Sequence, residues 1–265
     1  MTENGSENGS GTEASLLTAE GVTKRFDGIT ALHDVPLEVH PGECVGLIGP
    51  NGAGKTTLFD CLTGRLRPEA GVVRFRGDRL DGCSGTTRAR LGIARTFQRV
   101  ELFAGMSVAD QLLVAIQARS GRARVWRDLL GQGRPTPAER EQAGKITELL
   151  GLAAHVDRPV ETLTLGQARL VELGRALACD PVLLFLDEPS SGLDRDETQA
   201  LAVVLEEVRE RTGTAILLIE HDVPLVRRLA SRLYVLDAGR LVAHGETGEV
   251  LARPDVRAAY LGVSA

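Results

Sequence analysis

The stretch Gly49-Pro50-Asn51-Gly52-Ala53-Gly54-Lys55-Thr56-Thr57 limits what this chain can become more than any other part of it. It follows Cys44-Val45-Gly46-Leu47-Ile48, a short apolar run suited to a buried strand, and it reads G-x-x-x-x-G-K-T. Glycines at 49, 52 and 54 permit backbone angles that a Cβ resists, so successive N–H groups from Asn51 through Ala53 to Thr57 can turn inward on phosphate oxygens. The helix expected next points its positive end at the same place. Lys55 can then reach the β- and γ-phosphates, and the Thr56 hydroxyl can ligate Mg²⁺. Of 31 basic residues only Lys24, Lys55 and Lys145 are lysine. A compact ammonium in an arginine-rich chain suits a point charge set between phosphates.

Two more apolar runs end in polar residues. Pro181-Val182-Leu183-Leu184-Phe185-Leu186 leads to Asp187-Glu188, and Thr214-Ala215-Ile216-Leu217-Leu218-Ile219 leads to Glu220-His221-Asp222. Unbroken apolar character indicates strands covered on both faces, as in a parallel sheet, whose ligands bind beyond the carboxyl ends. Nucleotide hydrolysis needs a carboxylate to hold Mg²⁺ and a group to orient the attacking water. Asp187 suits the first role and Glu188 the second. His221, at the same edge, is placed to touch the γ-phosphate.

The remaining chain frames these strands. Residues 1–15 are polar and read as a tail without a packed structure. From Leu16 to Val39, apolar pieces separated by Asp27-Gly28 and His33-Asp34 suggest antiparallel strands, with Phe26 on a turn as either a core ring or a stacking face. Gly71 to Leu80 alternates as a strand does. Helical apolar faces cover Val108 to Ala118 and Ala138 to Leu150, and between them lies an Arg-, Gly- and Pro-rich excursion. Its arginines 119, 122, 124 and 127 read as a solvated face or as contacts for an acidic partner or lipid headgroups. Thr164 is placed to cap a helix carrying Leu170, Val171, Leu173 and Leu177. Leu233 to Leu236 and Leu241 to His244 form a hairpin.

Composition excludes several functions. Aromatics make up 3% and net charge is −5, which argues against stacking platforms for single strands and against a nucleic-acid partner. Cys44, Cys61, Cys83 and Cys179 form no C-x-x-C pair and read as small core residues in a reducing compartment. No apolar run approaches the roughly 20 residues of a membrane span, and the N-terminus lacks a secretory signal. Any membrane link is therefore expected through a partner.

Taken together, these motifs resemble the ATP-binding subunits of ABC transporters across nearly the whole chain after the tail. The general features are Gly49 to Thr57, Gln98, Leu163 to Gln167, Leu183 to Glu188, Ser191-Gly192-Leu193-Asp194 and His221. Gly92-Ile93-Ala94-Arg95-Thr96-Phe97-Gln98, Leu102-Phe103 with Met106-Ser107-Val108, Ile219-Glu220-His221-Asp222 and the tail Pro254 to Gly262 resemble the ATPases of branched-chain amino-acid importers.

The resemblance implies an α/β phosphate-loop core over 16–98 and 164–265, with a mainly parallel sheet and an N-terminal antiparallel β subdomain, and an inserted helical subdomain over 99–163. It implies ATP and Mg²⁺ as cofactors, Phe26 stacked on adenine, and Gln98 sensing Mg²⁺ and the γ-phosphate. Lys55, Gln98, Glu188 and His221 would be catalytic; Thr56, Gln98 and Asp187 would serve the metal. Thr164, Gly166, Gln167 and Asp194 would act across a head-to-tail dimer of identical or different ATPases.

Permease subunits would be direct partners, a substrate-binding protein an indirect one, and the location would be the cytoplasmic face of the membrane. Where the family has L-S-G-G-Q, this chain has Thr164 and Leu165, which puts its turnover rate in question. Urea, short-amide or lipid cargo, and a soluble ABC ATPase, are the competing readings.

Overall fold

The computed structural model describes residues 14–96, 101–119 and 135–260. Its first strands, β1 (Leu17–Phe26) and β2 (Ile29–Val39), pair antiparallel about Asp27-Gly28. Both turn residues have positive φ, 44° and 87°, which matches the right-handed twist of the flanking strands. β2 does not end at His33-Asp34, where the sequence suggested a break. It carries a bulge there instead, with Asp34 at φ 54°. The His33 N–H turns away to donate to Gly239 O at 2.8 Å, and Asp34 N–H donates to the Thr23 hydroxyl at 3.0 Å. Two polar residues that look like a turn are exposed positions on one continuous strand.

β3 (Cys44–Ile48) runs into the glycine-rich loop, and α1 (Lys55–Thr63) leaves it. β4 (Ala70–Phe75) and β5 (Asp78–Arg79) complete an antiparallel sheet ordered β2-β1-β4-β5. Next come α2 (Gly85–Arg90), β6 (Ile93–Arg95), α3 (Val108–Arg119), α4 (Pro137–Leu149) and α5 (Leu165–Leu177). After β7 (Leu183–Asp187) follow α6 (Arg195–Thr212), β8 (Ala215–Ile219) and α7 (Val223–Leu229). The hairpin β9 (Arg232–Asp237) and β10 (Arg240–Glu246) precedes α8 (Thr247–Ala252) and α9 (Pro254–Tyr260).

The second sheet is ordered β10-β9-β3-β8-β7-β6, and β9 through β6 are parallel to one another while β10 is antiparallel. Side chains of its central strands alternate between two cores. Leu183 and Phe185 of β7 join Leu17, Leu37, Leu58 and Phe59 on the side of the antiparallel sheet. Leu184 and Leu186 join Val108, Leu112, Ile146 and Val171 on the side of α3, α4 and α5. Burial on both faces is why these strands read as unbroken apolar runs. The parallel pairing of β3 with β8 and of β8 with β7 brings their carboxyl ends to one edge.

Candidate active site

The loop between β3 and α1 is shaped by close backbone approach. A Cβ on Gly49 would run into the Leu236 carbonyl, and one on Gly54, at φ 99°, would lie 2.7 Å from Ala31 O. Gly239 N donates to Ala53 O at 3.0 Å, so the β9–β10 turn supports the loop from behind. Asn51, Gly52 and Thr56 are exposed, Thr57 is half-buried, and among the described residues no side chain caps the start of α1. Lys55 is 6% exposed and lies along the loop, donating to Gly49 O at 2.6 Å and Pro50 O at 3.0 Å. Burial holds its ammonium below the usual lysine range, while Glu188 and Asp187 pull it back up.

Asp187 closes β7 and is fully buried. Its Oδ2 accepts from the Arg95 guanidinium at 3.1 Å, and its Oδ1 has no hydrogen-bond partner among the described residues. Burial pushes the carboxyl above its usual range; Arg95 opposes that and Glu188 adds to it. Arg95 also binds Asp60 of α1. A buried carboxylate with one oxygen unpaired, within electrostatic reach of Lys55 at the end of the glycine-rich loop, fits Mg²⁺, which takes one or two protein oxygens and leaves other positions to water and phosphate. Among the described residues no cluster of three or more His, Cys, Asp or Glu forms a cage.

Glu188 sits at φ 49°, a left-handed conformation that costs a residue of this size about 1–3 kcal/mol. Two bonds hold it there: its N–H donates to Ile219 O at 2.9 Å, and its carbonyl accepts from Ser191 N at 3.0 Å. The strained turn aims the side chain at His221, whose Nε2 lies 2.6 Å from Glu188 Oε1. Behind them Glu220 is 2% exposed. Its carboxylate accepts from the backbone of Ser190 at 2.9 Å, His221 at 2.8 Å and Asp222 at 3.2 Å, tying the loop after β7 to the loop after β8.

Lys55, Asp187, Glu188 and His221 therefore converge. Phe26 stands at the tip of the β1–β2 hairpin, 43% exposed, with the Lys24 ammonium 5.2 Å from its ring centre. Thr164, Gly166, Gln167 and Asp194 form a second group. Thr164 caps α5 and Asp194 caps α6, each through a reciprocal capping box. A Cβ on Gly166 would lie 2.8 Å from Glu197 Oε1, so the two helix starts face each other. Gln167 reaches His155 at 3.0 Å, and Leu165 is 43% exposed. Gln98 lies outside the described residues, as do arginines 122, 124 and 127. The sequence reading did not single out Asp60, Arg95 or Glu220. An arginine closing a short apolar strand was the one sign of a buried ion pair.

The ABC transporter family model matches residues 32–191, spanning the loop, the Asp187-Glu188 strand and the capped helix between them. This chain belongs to the ABC transporter family. It is an ATPase subunit of that family. Among its ABC relatives it is 41% identical to the high-affinity branched-chain amino acid transport ATP-binding protein LivG of Escherichia coli K12, over 93% of this chain and 98% of LivG. It is 38% identical to BraF of Pseudomonas aeruginosa, named for the same transport, with the same coverage. Identity to the lipopolysaccharide export ATP-binding protein LptB of E. coli K12 is 33%, over 94% of this chain and 98% of LptB. The ABC cassette MJ1267 in its ADP conformation superposes with a TM-score of 0.83 at 31% identity, covering 94% of this chain and all of that one.

Proposed function

We propose that this chain powers uptake of branched-chain amino acids by hydrolysing MgATP at a head-to-tail dimer interface, on the cytoplasmic face of a membrane that it reaches through permease subunits. The observation that carries the site is the meeting of Lys55, Asp187, Glu188 and His221 at the ends of β3, β7 and β8. The cargo rests on 41% identity to LivG against 33% to the lipid-export relative, at nearly full length in both. No helix among the described residues is long and apolar enough to cross a membrane, which agrees with attachment through a partner.

In this reading the N–H groups of residues 51–57 and the Lys55 ammonium hold the β- and γ-phosphates, and Phe26 stacks on the base. Thr56 and Asp187, with Gln98, hold Mg²⁺, which when bound neutralises charge on the phosphate oxygens. Glu188 orients the water that attacks the γ-phosphorus, and His221 fixes the carboxylate and touches the same phosphate. The bond from phosphorus to the β–γ bridging oxygen breaks, giving ADP and phosphate. Thr164, Gly166, Gln167 and Asp194 cover the ATP held by the partner subunit. Their exposed or half-buried state in the single chain leaves them accessible for that contact.

The test is the complex reconstituted in proteoliposomes with its permeases and binding protein, as wild type and Glu188→Gln. The variant is expected to bind ATP and accumulate as a closed dimer while hydrolysis and leucine uptake fall by about a thousandfold, the scale of losing a water-orienting group. Wild-type turnover in the variant would remove Glu188 from its role. Hydrolysis by the wild type without uptake of any branched-chain amino acid would remove the cargo and leave the site.

A further inference from the structure

Arg95 ends β6, on the strand beside Asp187, and its side chain is 11% exposed. Three of its contacts lie on α1, the helix that starts in the phosphate loop: Asp60, the Thr63 hydroxyl at 3.4 Å, and the ring of Phe59, whose centre is 5.3 Å from the guanidinium carbon. The other nitrogen of the fork donates to Asp187 Oδ2 at 3.1 Å. We infer that Arg95 is a positioning residue for the divalent cation, fixing the Asp187 carboxylate by Oδ2 so that Oδ1 alone is presented to the metal, in register with α1.

The inference rests on the reading of Asp187 as the metal-holding carboxylate. Two features support it. An arginine fork is rigid, and with its second arm locked to Asp60 it has little freedom to swing, so the nitrogen that donates to Asp187 holds Oδ2 at one point, which a flexible lysine would not. Asp60 also divides the charge of Arg95 between two carboxylates, with the Nε of the exposed Arg65 a further 3.9 Å from Asp60. Asp187 therefore shares the guanidinium with Asp60 instead of taking its whole charge.

The experiment titrates Mn²⁺, followed by its electron paramagnetic resonance signal, into the protein with ADP bound, using wild type, Arg95→Gln, Arg95→Lys, Asp60→Asn and Asp187→Asn. Arg95→Gln is expected to weaken Mn²⁺ binding about tenfold to a hundredfold, the usual range for a residue that orients a metal ligand. ADP affinity measured in EDTA should stay unchanged. Arg95→Lys should recover only part of the loss, since a single nitrogen on a flexible stem replaces the two that reach Asp60 and Asp187 separately. Asp60→Asn, which leaves Arg95 whole, should weaken Mn²⁺ in the same direction and decides the matter if Arg95→Gln fails to fold.

Mn²⁺ binding in Arg95→Gln or Asp60→Asn as tight as in wild type, with Asp187→Asn weakened, overturns the inference alone. A loss of metal-free ADP affinity equal to the loss for Mn²⁺ overturns it too, because the arginine then merely supports the fold. Tight Mn²⁺ binding in Asp187→Asn overturns the underlying metal assignment.

Discussion

Glu220 uses both carboxylate oxygens on backbone N–H groups from two loops, and those loops carry Glu188 and His221. A glutamine there has the same shape but must aim an amide donor at one of those donors. Glu220→Gln is expected to lower the unfolding free energy by about 1–3 kcal/mol, the cost of a buried group left without its partner. With the loops loosened, kcat should fall while the KM for ATP changes little, because the phosphate loop is untouched. An unaltered kcat, measured by phosphate release at saturating MgATP, would show that the Glu188–His221 contact forms without this clamp. The groups facing the site were legible because each of Asp187, Glu188 and His221 ends or follows an apolar strand, and because Lys55 sits in a patterned loop. Asp60, Arg95 and Glu220 were not. Their meaning depends on β6, β7 and β8 lying side by side, an order that no local pattern encodes.

Among the elements, α1 matters most, since its first turn belongs to the phosphate loop. Its far end is held by Arg88 of α2, which is 5% exposed. Arg88 Nη1 donates to Leu62 O at 2.5 Å and Cys61 O at 3.2 Å, Nη2 to Leu80 O at 3.0 Å, and Nε to Cys83 O at 3.3 Å. Carbonyls at a helix C-terminus lack intrahelical donors; here this cation serves Leu62 and shares Cys61 with the N–H of the left-handed cap residue Gly64. Arg88→Met is expected to cost about 2 kcal/mol in urea unfolding, a few hydrogen bonds to a charged group offset by relief from burying that charge. Equal stability would mean that water caps α1 as well as the arginine does. Periodicity revealed the helices whose apolar stripe is wide, such as α3 and α5. It did not reveal α6, most of whose residues are polar and whose buried stripe is only Leu201, Ala202, Leu205 and Val208. α2 is short and rich in Thr, Arg and Gly, so its capped start at Ser84 gives little pattern to read.

At the scale of the whole molecule, the two sheets are joined by a hydrogen bond from a charged group as well as by apolar packing, and an ion pair holds that group in place. Arg232 of β9 grips Glu43 with both arms, Nε to Oε1 at 2.5 Å and Nη2 to Oε2 at 2.9 Å, and also donates to Glu38 O at 3.0 Å on β2. Burial pushes the Glu43 carboxyl up, but the hydrogen bonds from Arg232 and the His40 N–H, with the charge of Arg232, leave it below the usual 4.5. A depressed carboxyl means that the unfolded chain takes up the proton first as pH falls. The stabilisation is therefore complete above about 4.5 and is lost as pH drops through the lowered value. Glu43→Gln should cost about 2 kcal/mol at pH 7, with its melting curve converging on that of wild type in acid. A constant gap between the two proteins from pH 7 to pH 3 would show that the pair contributes nothing that titrates.

The peptide of Gly239 offers its N–H to Ala53 and its carbonyl to His33, so one link in the β9–β10 turn grips both the anion cradle and the sheet that carries Phe26. The spacing of the hairpin and the loop is thereby built into the fold before any molecule arrives. In the proposed reading, with Phe26 on the base and residues 51–57 on the phosphates, the protein is a caliper of which pyrophosphate or adenosine alone would touch only one jaw.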